Sequence, residues 1–117
     1  MDRVESMEGI EITPLKIMEG ADGTVMHAIK NTDPQYTQFG EAYFSTVKYQ
    51  KIKGWKKHSQ MISNLIVQHG EIQFVFYDDR KDSETKGAYF SINLSLHNYQ
   101  RLTVQPGLWL AFKGLGK

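Results

Sequence analysis

Cysteine is absent from the sequence, which excludes a disulfide framework, a thiolate nucleophile and any sulfur-ligated metal. Net charge is nearly absent too: 14 Lys and Arg stand against 13 Asp and Glu, a formal charge of +1, so no global field draws the chain to nucleic acid or to an anionic membrane. Any anion binding must be local. No apolar run reaches the roughly 18 residues of a membrane span, and the opening "MDRVESMEGIEI" is acidic where a signal peptide is basic and then apolar. These absences point to a soluble cytoplasmic protein without nucleic acid or membrane as partner. The 117 residues suit one compact domain.

Repeats, low-complexity tracts and sustained helical stripes are also missing. What remains is a series of short β-branched and aromatic segments separated by turn residues. "GIEITPLKIME" reads as an edge strand, because Pro14 is tolerated at an edge and not in a sheet centre. "GADGTVMHAIK" reads as a turn from Gly20 to Gly23 followed by a strand, "NTDPQYTQFG" as a loop, and "EAYFSTVKYQ" as a strand leading through a kink into "KIKGW". "MISNLIVQHGEIQFVFYDD" reads as a hairpin turning at Gly70. After the polar loop "RKDSETKG" come strands "AYFSINLSL" and "RLTVQ", then Pro106 and Gly107 turn the chain into "LWLAFKG". About eight or nine short strands match an all-β, small double-sheet jelly roll. Strand alternation places Ile72, Phe74 and Phe76 on one face, and Ser63 with Leu65 and Val67 on another.

The stretch "KIKGWKKHSQ" is the most concentrated source of chemistry. Plain alternation puts Gly54, Lys56 and His58 on one side and Trp55 and Lys57 on the other, so Lys56 and His58 enter the mouth of the fold together. An imidazole titrates near neutrality, which suits His58 to proton transfer. Lys56 is a base if desolvated and a solvated ammonium if not. Lys57 reads as surface charge. Trp55 reads as a stacking platform, a core residue or a subunit contact. Tyr43 reads as a half-buried strand residue or as a donor to a developing oxyanion. His27, His69 and His97 lie near turns without spaced partners and read as surface residues.

From Gly70 onward, "GEIQFVFYDDRKDSETKG" holds a Gly-Glu turn, an aromatic strand and then Asp78, Arg80, Ser83, Thr85 and Gly87 in fixed order. This resembles the dTDP-4-dehydrorhamnose 3,5-epimerase family of cupins and the related dTDP-sugar 3,4-ketoisomerases. "IKGWKKHSQ" is similar to that family's segment of a basic residue, Gly, a bulky residue and His, and "LSLHNYQRLTVQPGLWLAFKG" to its Pro-Gly stretch. The similarity spans roughly residues 40 to 115.

The resemblance implies a cupin β-barrel over residues 1–117, lacking C-terminal elements of the family. It also implies a nucleotide-sugar substrate, no cofactor, and a homodimer. By position, Lys53 stands where the family has a phosphate-contacting Arg, Ser63 where it has a basic residue, and Lys56 where it has the catalytic His. His58 matches the second His of a His-x-His pattern. Lys56, His58, Ser63 or Asn64, and Leu110 occupy the places of a metal-binding cupin's ligands, and only His58 is a donor of that kind, so no metal is expected. The implied reaction is proton transfer beside the ketone of a dTDP-4-keto-6-deoxyhexose in deoxysugar biosynthesis. His58, Lys56 and Tyr43 would do the chemistry, and Lys53, Ser63 and Trp55 would hold substrate. A non-catalytic cupin that binds a sugar or nucleotide sugar is the alternative. The loop residues Asp78, Arg80, Ser83 and Thr85 read as structural.

Overall fold

The computed structural model describes residues 2–116 and contains strands, turns and loops but no helix among them. No described helix is therefore long and apolar enough to cross a membrane. Ten strands form: β1 (Asp2–Arg3), β2 (Ile10–Pro14), β3 (Ile17–Gly20), β4 (Gly23–Met26), β5 (Ile52–Lys57), β6 (Ser63–Leu65), β7 (Glu71–Asp78), β8 (Ala88–Ser95), β9 (Gln100–Val104) and β10 (Leu108–Gly114). A five-stranded sheet has the order β1-β8-β7-β10-β5, a three-stranded sheet the order β2-β9-β6, and β3 with β4 makes a separate hairpin.

Period-two patterning explains how the sheets pack. Phe74, Phe76 and Asp78 on β7 are buried, as are Ala88, Phe90 and Leu94 on β8, while their neighbours are less so. Phe74, Phe76, Phe90 and Leu94 from the larger sheet meet Leu102 and Val104 from the smaller one in a single core cluster, joined by Met7, Val67 and Leu108. Sheet-on-sheet burial of this kind is the sandwich solution for two one-sided sheets.

The outer face of β9 is covered as well. Arg101 is 1% exposed, and its guanidinium donates to the Ala28 carbonyl at 2.6 Å, to Gln35 at 2.9 Å and to Asp33 at 3.3 Å. Tyr99 adds a hydrogen bond to the His27 carbonyl. The loop over residues 27–36 is thus tied down by polar contacts rather than by an apolar face.

Two expectations need correction. "MISNLIVQHGEIQFVFYDD" is not a hairpin: β6 pairs with β9 and β7 with β8 and β10, so the turn at Gly70, where φ is 76°, carries the chain between sheets. Val67, beyond the end of β6, and Phe74, on β7, both enter the core cluster. "EAYFSTVKYQ" forms no strand; Tyr43 is 66% and Phe44 94% exposed, and only Tyr49 makes an isolated bridge, to Gly114. Its alternating pattern finds no sheet to join. Pro14, by contrast, lies on β2, an edge strand as expected.

Gly54 packs closely against β10. A Cβ there would lie 2.7 Å from Ala111 Cα, and its φ is 134°. Gly54→Ala is expected to destabilise the protein by roughly 2 kcal/mol or more, read from the urea midpoint at unchanged slope. An unchanged midpoint would show that β5 moves away from β10 at little cost.

Candidate active site

Strand β5 forms one edge of the larger sheet, and all six of its residues are exposed. The reason is architectural: a three-stranded sheet does not cover a five-stranded one, so the margin beyond β10 is open. Opposed residues of an antiparallel ladder share a face. Lys56 lies opposite Leu110 and Lys53 opposite Phe112, and both partners pack against the core cluster. The register shifts between Leu110 and Phe112, so β5 uses three steps where β10 uses two. This bulge, at Gly54 and Trp55, moves Lys53 onto the side of Lys56, where plain alternation separates them. Lys57 lies opposite Trp109 on the outer face.

The lysines differ in what they touch. Lys57 pairs with Asp79 at 3.4 Å and lies 5.2 Å from the Trp109 ring centroid; Trp109 Nε1 in turn donates to Asp79 at 3.0 Å. Its charge is locally neutralised. Lys53 donates to Ser45 Oγ at 2.9 Å and to the Thr46 carbonyl at 3.1 Å, and its ammonium sits 5.5 Å from the Phe112 ring centroid. Sequence reasoning missed these contacts, because Ser45 and Thr46 are unremarkable residues in a segment read as a strand. From the smaller sheet, Ser63 is half-buried opposite Val104, a core residue, and so faces inward.

His58 follows the last residue of β5 and is half-buried. Its carbonyl accepts from the Gly107 amide at 2.8 Å, so the Pro106-Gly107 turn anchors the backbone at His58. Tyr43 stays in the exposed segment, with no hydrogen-bond partner among the described residues, and Trp55 is 54% exposed. The structure therefore groups Lys53 and Lys56 on one face and anchors His58 at the strand end; it does not bury Tyr43 or Trp55 beside them. Among the described residues no group of three His, Asp or Glu side chains is placed to hold a metal.

The loop after β7 is a closed polar network. Asp78, fully buried, accepts from the Arg80 amide at 3.0 Å, from Arg80 Nε and Nη2 at 2.9 Å, and from the Ser83 and Thr85 hydroxyls. Burial pushes its pKa up, but the bonds from Arg80, Ser83 and Thr85 outweigh that and hold the carboxyl well below the usual carboxylate range. Arg80 also donates to the Glu8 carbonyl and packs against Gly107, where a Cβ would lie 3.0 Å from its Cδ.

No family model matches the chain, and no curated protein matches it. Among solved structures it is similar to a dTDP-sugar isomerase from Desulfovibrio desulfuricans G20, with 36% identity and a TM-score of 0.89 over 92% of this chain and 69% of that one. This chain belongs to the dTDP-sugar isomerase family. Its fold is the cupin jelly roll. A dTDP-6-deoxy-D-glucose-3,5-epimerase from Legionella pneumophila Philadelphia 1, solved with dTDP-4-keto-L-rhamnose, shares that fold. It is 21% identical, with a TM-score of 0.82 over 97% of this chain and 64% of that one. A 3'-monoepimerase from Streptomyces bikiniensis solved with dTDP-quinovose does so at 15% identity and a TM-score of 0.83, over 100% and 63% of the two chains. This member of the isomerase family thus spans about two thirds of the length of these relatives.

The Asp78 network makes a prediction about acid stability. A carboxyl whose folded pKa is depressed stabilises the fold above its unfolded value, about 3.9, and loses that contribution as pH falls toward the folded value. The unaltered protein should lose stability as pH drops below about 4. Asp78→Asn should cost roughly 2–4 kcal/mol at neutral pH and flatten this acid limb. Parallel pH profiles for the two proteins in urea would contradict the assignment.

Proposed function

We propose that the chain acts as a nucleotide-sugar isomerase that moves a proton beside the ketone of a dTDP-4-keto-6-deoxyhexose. Membership of the dTDP-sugar isomerase family carries this reading. His58, half-buried and anchored through its carbonyl, is the base. Its imidazole takes the proton from the carbon next to the ketone; the C–H bond breaks, an N–H bond forms and the ketone oxygen gains the charge. Lys56 and Tyr43 supply donors to that oxygen; return of a proton to the opposite face of the same carbon gives the epimer, whereas protonation of the former ketone carbon, with the adjacent hydroxyl proton lost and the enolate oxygen protonated, gives the ketoisomer. Lys53 holds the diphosphate, Ser63 contacts the substrate from the smaller sheet, and Trp55 stacks on the nucleobase. The reaction needs no redox cofactor because no net electron transfer occurs.

A homodimer belongs to the same reading. Phe39, Tyr43, Phe44, Ile52 and Trp55 are exposed, and β5 ends its sheet with no strand beyond it. A second copy covering this margin would remove both liabilities and bring Tyr43 and Trp55 toward an enclosed site. Sedimentation velocity should therefore show a dimer, and Phe44→Asp should shift it toward monomer. A monomeric parent protein would count against the dimer.

The chemistry is tested by NMR in D₂O with dTDP-4-keto-6-deoxyglucose. Exchange at C3 alone is expected of ketoisomerase or 3-monoepimerase chemistry, told apart by whether the ketone has moved in the product, and exchange at C3 and C5 is expected of a 3,5-epimerase. His58→Asn should reduce the rate by about 100-fold or more. Saturable binding with no exchange would instead support a non-catalytic sugar-nucleotide binder, the reading that the exposure of Lys56 favours.

A further inference from the structure

Of the two lysines on the open face of β5, Lys53 is the one whose ammonium has hydrogen-bond acceptors among the described residues, and none of them is a carboxylate. An ammonium has three N–H donors. Two are committed, to Ser45 Oγ at 2.9 Å and to the Thr46 carbonyl at 3.1 Å, and the cation lies 5.5 Å from the Phe112 ring centroid. Both acceptors are neutral, and among the described residues no carboxylate lies within ion-pair distance of Lys53. Lys57, one strand face away, is tied to Asp79 instead. A flexible lysine loses several rotors when it captures a phosphate; one already held by two acceptors and a ring loses fewer.

We propose that Ser45 is a positioning residue for phosphate recognition: with the Thr46 carbonyl it pins Lys53 over Phe112, leaving one N–H and an unneutralised charge for the diphosphate of a nucleoside-diphosphate ligand. This rests on the nucleotide-sugar reading above. Ser45 does not itself touch the ligand in this scheme. It acts through Lys53, so its contribution is confined to ligands that carry the diphosphate.

The test is calorimetric titration of dTDP and of thymidine into the unaltered chain, Ser45→Ala, Ser45→Thr, Lys53→Met and the Ser45/Lys53 double variant. Lys53→Met should weaken dTDP binding about 10- to 100-fold, and Ser45→Ala about 3- to 10-fold. Ser45→Thr, which keeps the hydroxyl, should restore most of the loss. Ser45→Ala should add nothing once Lys53 is Met, and thymidine binding should be unaffected throughout. Ser45 is exposed, so the variants are expected to fold. Loss of dTDP affinity in Lys53→Met with none in Ser45→Ala would overturn the proposal and leave the nucleotide-sugar reading standing. Equal weakening of dTDP and thymidine by Ser45→Ala would also overturn it, by showing a general structural effect. Failure of the unaltered protein to bind dTDP would remove the nucleotide-sugar reading and the proposal together.

Discussion

A buried carboxylate at the end of β7 is the constraint on which the rest of the molecule depends. Asp78 has no exposure, so its charge survives only because Arg80, Ser83 and Thr85 all donate to it. Removing one partner would leave a charge without compensation in a site that water does not reach. The guanidinium that satisfies it also reaches the Glu8 carbonyl, and the methylene stem of the same arginine packs against Gly107. One ion pair therefore joins the loop after β7, the turn before β2 and the Pro-Gly turn before β10. The Gly107 amide then holds the carbonyl of His58, which links this structural loop to the proposed base through only two contacts.

The second organising feature is a mismatch between sheets. Five strands face three, and β5 is left at the margin with all six residues exposed. An open margin is costly for a sheet edge and useful for a binding site, because side chains placed there stay accessible to a ligand. The bulge at Gly54 and Trp55 turns that margin into a two-lysine face above Leu110 and Phe112. Polar heads over an apolar floor are the usual makeup of a small-ligand cleft.

Much of this was legible in the residues. The loop from Asp78 to Gly87 was readable as structural because Asp, Ser and Thr at those spacings satisfy their own backbone, and the structure shows those bonds. The core face of β7 followed from the alternation that sets Ile72, Phe74 and Phe76 on one side. The resemblance to nucleotide-sugar isomerases rested on the same loop and on the Pro-Gly turn, both of which keep their shape through local chemistry. Tyr43 was harder: "EAYFSTVKYQ" alternates like a strand, but alternation states only that a strand would be amphipathic, not that a neighbour exists to pair with it.

By itself the sequence determined what is local: the turns at Gly and Pro, the two-residue period of the strands, the self-satisfied Asp78 loop, and the near-neutral charge that leaves anion binding to local groups. Tertiary structure alone decided which strands became neighbours. It sent β6 and β7 to different sheets across Gly70, because one core is built from Leu102 and Val104 of the smaller sheet and Phe74 and Phe76 of the larger. It also decided which side of β5 Lys53 faces, because a bulge is set by the register against β10 and the close approach to Ala111, and neither is encoded within β5.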